Sequence, residues 1–257
     1  MEARFVLFAL LLPVAAAPDA VGGDDPKAVV RKAIAALGGE ANLTKLRIRA
    51  QTTRGTVHFF GQSVAFTAEA RIALPDRFRG TRHLQFKDKR MELEEVFAGK
   101  EGWVVVDGVV KDLDAAGNRA LADELHVNWV MTLAPVLGSE FSLANAAAKS
   151  VDGTLAPGVR VSAAGKPDVT LYFHPESGRS VKVETRATDP NTGKLVFQEL
   201  YLKDYQDRGG VWYPMRSVLY QDGNKFAEED VVEVRFFDRF DDKAFAKPQA
   251  AAPPARP

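Results

Sequence analysis

Apolar and polar side chains alternate along most of this chain, which is the pattern of β-strands with one buried face. The clearest run extends from Val64 to Ile72, with Thr67, Glu69 and Arg71 at the polar positions. Further runs of this kind occupy residues 94–98, 102–106, 169–173, 181–183 and 232–236. The sequence therefore predicts many half-buried strands.

A strand is also predicted before the clearest run, starting at Leu46. Here Leu46, Ile48 and Ala50 alternate with Arg47 and Arg49. Because successive side chains of a strand point to opposite faces, we expect the three apolar residues to face the core.

Turn-forming residues separate the predicted strands. They lie at Gly61, Asp107-Gly108, Asp152-Gly153, Ser177-Gly178, Asn191–Gly193, Gly209-Gly210 and Asp222-Gly223. Strands joined by such short turns pair antiparallel, since a parallel crossover needs about a dozen residues or more.

Two segments have helical periodicity instead. The first begins at Asp25, a capping residue type, followed by Pro26, and it ends at Gly38-Gly39. The second runs from Asn118 to Leu137, where Pro135 predicts a bent or broken last turn. Its apolar positions recur at Leu121, Leu125, Trp129 and Leu133.

These elements predict a mainly β (α+β) protein. We expect an open, strongly curved antiparallel β-sheet, or half-barrel, because short hairpins dominate the chain. The short N-terminal helix and a central helical lid would cover its apolar face.

Composition excludes several classes of protein. Lys plus Arg and Asp plus Glu number 34 each, so no overall charge favours nucleic acid as a partner. The chain has no cysteine, which removes disulfides, thiolate ligands and cysteine nucleophiles. Its His58, His83, His126 and His174 form no metal-ligand spacing. We therefore expect no catalytic residue, metal or cofactor; a hydrolase would need one of these histidines beside a serine and an acid.

The N-terminus predicts export from the cytoplasm. Arg4 precedes an apolar run from Phe5 to Leu12, and small residues follow, as in a cleaved signal peptide. The expected organisation is a signal peptide at 1–16, a flexible segment at 17–24, a single domain at 25–248 and a disordered Pro/Ala-rich tail at 249–257.

The chain has 16 Phe and 3 Trp. At many of these positions the alternation points the large apolar side chain to one face of the predicted sheet. They either fill the core or line an apolar cavity between the curved sheet and its helices. The residues predicted to line such a cavity are Ile48, Phe66, Phe78, Trp103, Trp129, Leu133, Phe173 and Phe236.

Five segments carry a resemblance to a known family. They are Ala33–Gly39 (AIAALGG), Gly99–Gly108 (GKEGWVVVDG), Leu171–Glu184 (LYFHPESGRSVKVE), Asp204–Pro214 (DYQDRGGVWYP) and Phe245–Pro248 (FAKP). In this order and spacing, they resemble the LolA-like family of periplasmic lipoprotein carriers. The resemblance covers nearly the whole mature chain.

The resemblance implies an open antiparallel β-barrel whose helices form a lid over a cavity that shields acyl chains. It also implies a strand arginine that contacts the lid, and Arg47 and Arg49 lie in the right region. We therefore predict a periplasmic, non-enzymatic binding protein for lipid or lipoprotein acyl chains. The expected protein is a monomer, with envelope membrane proteins as further partners. The alternative is an exported β-sheet interaction or scaffold domain of the cell envelope without a ligand cavity.

Overall fold

A computed structural model describes residues 24–59, 61–188 and 193–249. Its helices are α1 (Pro26–Ala36), α2 (Glu40–Leu43) and α3 (Ala115–Met131), with 3-10 turns at Thr44–Arg47 and Asp242–Phe245. Its strands are β1 (Ile48–Phe59), β2 (Gln62–Ala73), β3 (Arg77–Gln85), β4 (Arg90–Ala98), β5 (Glu101–Val106), β6 (Val109–Asp112), β7 (Phe141–Val151), β8 (Thr154–Ala163), β9 (Val169–Phe173), β10 (Ser180–Thr188), β11 (Leu195–Asp207), β12 (Trp212–Gln221) and β13 (Asn224–Phe236).

The described strands form one 13-stranded sheet in the order β6-β5-β4-β3-β2-β1-β13-β12-β11-β10-β9-β8-β7. Every neighbouring pair is antiparallel. β6 and β7 lie at the two ends, so the sheet stays open. The predicted fold class, an open curved antiparallel sheet with helical cover, is confirmed.

Tight turns join consecutive strands as the sequence predicts. Asp107, Asp152 and Asp222 all have positive φ angles, and so do the glycines that follow them. This backbone geometry suits the right-handed twist of a two-residue hairpin. The predicted turn at residues 191–193 lies partly outside the described residues.

The two faces of the sheet have different surroundings. We call the face against which α1 and α3 pack the inner face, and the opposite one the outer face. In β2 the predicted alternation is confirmed, since Phe66 pairs with Leu84 and Ile72 pairs with Phe78 on the inner face.

For β1 the predicted orientation is wrong. Arg49 pairs with the inner-face residue Ile72, so Arg49 points inward and Ile48 and Ala50 point to the outer face. Leu46 is buried in the 3-10 turn before the strand. The reason is that pairing with β2 fixes which residues of β1 face the helices, and the alternation by itself does not.

One half of the inner face is packed solid. Val159, Val161, Val169 and Leu171 of β8 and β9 have no exposed surface. They belong to one cluster with residues of α1, such as Val30, and of the segment that follows α3. Buried apolar area of this kind supplies most of the stability of a cysteine-free domain.

Both predicted helices exist, but the second ends earlier than expected. Asp25 caps α1 by accepting a hydrogen bond from the backbone N–H of Lys27, with Pro26 in the first turn. α3 ends at Met131, and Leu133 follows with a φ angle of 60°. Pro135 therefore lies outside the helix and produces no bend within it.

Two segments cover parts of the outer face. The tip of the β7–β8 hairpin contributes Val151 and Ala156 to a cluster with Tyr172. After β13, the C-terminal segment crosses β3 and β4, where Arg77 binds Asp242 at 2.7 Å. Phe245 is buried as a result.

Some predictions fall outside the described residues. The signal peptide at 1–16, nearly all of the segment at 17–24 and residues 250–257 of the predicted tail are among them. Over the ranges that the structure does describe, no helix has the length and apolar composition needed to cross a membrane.

At the end of α1, two neighbouring glycines differ in the space that surrounds them, which predicts different losses of stability on substitution. A Cβ added at Gly38 would lie 2.0 Å from the carbonyl oxygen of Gly210, whereas one at Gly39 would meet nothing within 4 Å. Both residues have positive φ angles. We expect Gly38→Ala to lower the free energy of unfolding by about 1–3 kcal/mol more than Gly39→Ala, because only the former adds a steric overlap. Urea unfolding measures both values, and equal losses would contradict the close approach.

Candidate functional site

The half of the inner face formed by β1–β4 is only partly covered. At one end α3 packs Leu125 against Ile72 and Phe97, and Phe78 and Trp129 lie against this cluster. At the other end Val64, Phe66 and Leu84 form a separate apolar cluster that includes no described helical residue. We call the space between the inner face of β1–β4 and α3 the inner hollow.

Small residues form the floor of the inner hollow. Ala68, Ala70 and Gly80 lie on the inner face between the two apolar clusters, and all three are only partly buried. A Cβ on Gly80 would lie 2.5 Å from the Phe78 ring, and one on Gly55 would lie 2.9 Å from the Phe66 ring. The two aromatic rings therefore lie along the sheet over these glycines.

Four charged residues cross the middle of the inner hollow. The strand register places Arg82 of β3 opposite Ala68, Glu95 of β4 opposite Gly80, and Glu229 of β13 opposite Gly55. Glu124 joins them from α3. We call Arg82, Glu95, Glu124 and Glu229 the charged belt.

The carboxyl groups of the charged belt resist ionisation. Glu124 is an exposed residue of α3, yet the protein around its carboxyl group desolvates it and, with a coulombic contribution from Glu95, raises its pKa to about 7. Burial also raises the pKa values of Glu95 and Glu229, against the opposing charge of Arg82. Each shift follows from placing a negative charge where water is scarce.

A buried arginine connects the sheet to α3. Arg49 of β1 is 5% exposed. Its Nη1 donates to the carbonyl oxygen of Leu46 at 2.7 Å, and its Nη2 donates to Oδ1 of Asn128 at 3.2 Å. Glu124 lies one helical turn before Asn128, and hence on the same side of α3.

The eight residues predicted to line a cavity lie in three different places. Phe66, Phe78 and Trp129 border the inner hollow. Leu133, Phe173 and Phe236 belong to the cluster of the filled half or pack against it. Ligand binding by these six residues stays a prediction.

The other two residues, Ile48 and Trp103, lie on the outer face. Trp103 pairs with Val96 and therefore points to the same face as Val96. Val96 precedes the inner-face residue Phe97, so both Val96 and Trp103 point to the outer face. Trp103 is buried beneath the C-terminal segment, where Lys247 lies 6.0 Å from its ring. Because the sheet separates Ile48 and Trp103 from α3, they cannot line one cavity with Phe66.

Two cavities have polar walls and include none of the eight predicted residues. One, of about 300 Å³, lies on the outer face beside Phe237 and Phe240, with Glu69, Arg71 and Arg235 in its wall. Another, of about 700 Å³, is lined by residues of β11–β13 such as Met215 and by Arg54 of β1.

The described histidines form no catalytic arrangement. His58 Nδ1 lies 2.9 Å from Ser63 Oγ across the β1–β2 hairpin, but His58 Nε2 has no hydrogen-bond partner, so no acid orients the ring. His126 is buried against Phe141. Among the described residues no group of three or more His, Cys, Asp and Glu side chains could hold a metal ion.

Comparison of the sequence with protein-family models and with curated proteins gives no match. Solved structures do match the fold. An outer membrane lipoprotein-sorting protein domain from Vibrio parahaemolyticus aligns with a TM-score of 0.53 and 13% identity, over 86% of this chain and 95% of that one. A LolA superfamily protein from Nitrosomonas europaea aligns with a TM-score of 0.56 and 12% identity, over 86% and 97%. This chain has the LolA-like fold.

A third match extends the comparison. A DUF1329 family protein from Desulfovibrio piger aligns with a TM-score of 0.55 and 12% identity, over 87% of this chain and 98% of that one. At such identities the likeness is one of fold. The LolA-like fold accounts for the open sheet with helices on its inner face, whereas the charged belt is formed by this chain's own side chains.

Sequence reasoning missed the charged belt, although a signal existed. Phe78 of β3 and Phe97 of β4 point to the inner face. Arg82 and Glu95 lie an even number of residues from them on the same strands, so they point to the same face. A charged residue at an apolar position of a strand indicates either a functional site or an error in the assigned register. Glu124 gave no such signal, because one polar residue on a helix fits a solvent-facing position.

The raised pKa of Glu124 predicts how stability changes with pH. The folded protein binds this proton more tightly than the unfolded chain, so the contribution of Glu124 to the free energy of unfolding declines as pH rises from about 4.5 to about 7. We expect Glu124→Gln to reduce the slope of stability against pH in this window. Urea unfolding from about pH 4.5 to about pH 8 measures it.

Glu69→Gln is the matched control, because Glu69 pairs with Thr52 on the outer face and is exposed. The control should keep the slope of the unsubstituted protein. An unchanged slope in Glu124→Gln would contradict the environment described for this carboxyl group.

Proposed function

We propose that this protein is a periplasmic, non-enzymatic binding protein that holds lipid or lipoprotein acyl chains in the inner hollow. The observation that carries this proposal is the unequal cover of the inner face. The apolar cluster of Val64, Phe66 and Leu84 lies on the helix side of the sheet, yet no described helix packs against it. These three side chains are only 2%, 6% and 5% exposed, so an acyl chain would lie beside the cluster, between α3 and the partly buried floor residues.

The energetics favour an apolar ligand in that position. Burying a methylene group contributes about 0.8 kcal/mol, so a chain of roughly ten methylenes gains far more than the roughly 1 kcal/mol of one typical hydrogen bond. The small floor residues Ala68 and Ala70 leave room for the chain along the sheet. The rings of Phe66 and Phe78, which lie over glycines, offer flat apolar surface beside it.

The fold supports the same proposal. Its structural neighbours include a domain named for outer membrane lipoprotein sorting and a LolA superfamily protein. In this chain the hydrogen bond from Arg49 to Asn128 would hold α3 over the inner hollow, as the strand arginine of the resembled family contacts its lid. Movement of the lid would then take place at the end of α3, near the positive φ of Leu133, since Pro135 lies beyond the helix.

Filling the floor of the inner hollow tests the proposal. Ala68 and Ala65 lie on the same strand, but Ala68 faces inward and Ala65 is exposed on the outer face. We expect Ala68→Phe to weaken binding of the neutral fluorescent probe N-phenyl-1-naphthylamine by at least about tenfold, equivalent to 1.4 kcal/mol. The matched variant Ala65→Phe should bind like the unsubstituted protein, because its added ring enters solvent.

Native mass spectrometry of the protein purified from a bacterial periplasm provides an independent test. Bound lipid or acylated peptide in stoichiometric amount is the expected result. If no lipid is retained and the probe does not bind, the carrier function fails, and an exported scaffold domain with a filled inner face is the interpretation that stands.

A further inference from the structure

The charged belt has an excess of negative charge. Three carboxylates, from Glu95, Glu124 and Glu229, approach the single guanidinium of Arg82 from three different elements. None of them forms a salt bridge with Arg82 within 4.0 Å in the described residues. When Glu124 carries its proton, the acidic groups Glu95 and Glu229 remain beside one guanidinium.

Arg82 of the belt packs against an aromatic ring of the helix-free apolar cluster. Its guanidinium lies 5.3 Å from the centre of the Phe66 ring, so a cation–π contact fixes it against the helix-free apolar cluster. Its Nε is buried and has no hydrogen-bond partner. Arg82 acts on all three carboxyl groups through its charge, and Glu229 also accepts a hydrogen bond from Thr53, so one guanidinium and one hydroxyl serve three carboxyl groups.

The belt lies between two apolar surfaces of the inner hollow. The cluster of Ile72, Phe97 and Leu125 is on one side, and that of Val64, Phe66 and Leu84 is on the other. A chain that packs on one of these surfaces with its polar end inward would bring that end to the belt. The charge of that end then decides whether the contact stabilises or destabilises the complex.

We propose that the charged belt selects the polar end of the ligand, so that the inner hollow takes amphiphiles ending in a cationic or neutral hydrogen-bond donor and disfavours those ending in a carboxylate or phosphate. This inference rests on the proposed acyl-chain binding and adds to it the chemical class of the ligand. An ammonium or hydroxyl group donates to the carboxylates, whereas an anion meets like charge in a poorly solvated space.

Protonation modulates this selection. Glu124 faces Glu95 from β4, Arg82 from β3 and Glu229 from β13, and its helix neighbour Asp123 is paired with Arg119 at 3.6 Å. Burial raises the pKa of Glu124 to about 7. Preference for a cationic ligand is therefore strongest above about pH 7 and declines below it, as the carboxylate becomes neutral.

Competition among three amphiphiles of equal chain length tests the selection. Dodecylamine, dodecanol and laurate displace N-phenyl-1-naphthylamine from the full mature protein near pH 8, where the amine is protonated and laurate is ionised. We expect the amine and the alcohol to bind at least about tenfold more tightly than laurate. Laurate binding as tightly as the amine would overturn the selection and leave acyl-chain binding intact. Failure of all three ligands and of the probe to bind would overturn the proposed function itself.

Substitution identifies the residues responsible. Combining Glu95→Gln, Glu124→Gln and Glu229→Gln should reduce the ratio of laurate to amine dissociation constants at least about threefold, because the shape is kept and the charge removed. Glu69→Gln on the outer face should leave the ratio unchanged. An unchanged ratio in the folded triple variant would overturn the role of the belt.

A measurement without any variant covers the case in which the triple variant does not fold. Dodecylamine stays protonated and dodecanol stays neutral from about pH 8 to about pH 6. The affinity of the amine relative to the alcohol should fall at least about twofold over this range as Glu124 gains its proton. A constant ratio would overturn the proposed role of Glu124.

Discussion

The pairing of β1 with β13 holds this structure together. In the strand order it is the link between β2–β6 on one side and β7–β12 on the other. It joins residues 49–57 to residues 227–236, which are far apart in the sequence. Without it the sheet would consist of two separate sets of hairpins, each with an unpaired edge and an incompletely covered apolar face.

Different elements cover the inner faces of the two sets of strands. β8–β11 are covered by α1, by the end of α3 with Val130 and by the segment after α3, and residues such as Val161 and Leu171 have no exposed surface. β1–β4 have α3 alone, which reaches Ile72 and Phe97 and stops short of Phe66. This asymmetry creates the inner hollow, because a 17-residue helix cannot cover strands of up to 12 residues along their full length.

The central strand also connects the sheet to its cover. Arg49 projects from β1 and binds Asn128 of α3, so the strand that joins the two halves also positions the helix over the inner hollow. Glu124 and Asn128 lie one turn apart on α3, which places a titratable group and the contact with the sheet on the same helical face. A shift of α3 would therefore move Glu124 as well as the cover over the apolar floor of the inner hollow.

Local physics made much of the fold predictable. The Asp-Gly turns follow from the freedom of these residues to adopt positive φ angles, and α1 follows from its cap and first-turn proline. The alternation in β2 correctly placed Phe66 on the buried side. Because these signals involve neighbours in sequence, they do not depend on the rest of the fold, and the antiparallel pairing of consecutive strands follows from them.

The candidate site was predictable only in part. Phe66, Phe78 and Trp129 border the inner hollow, whereas Trp103 lies on the outer face beneath the C-terminal segment. Periodicity shows that a strand has two faces but not which face meets a helix. Strand register and distant packing decide that, as they do for the inward turn of Arg49 and the convergence of Glu95, Glu124 and Glu229. The sequence by itself determined the turns, the strands and their alternation; only the tertiary structure decided which side chains share the hollow, because that depends on pairings between residues far apart in the chain.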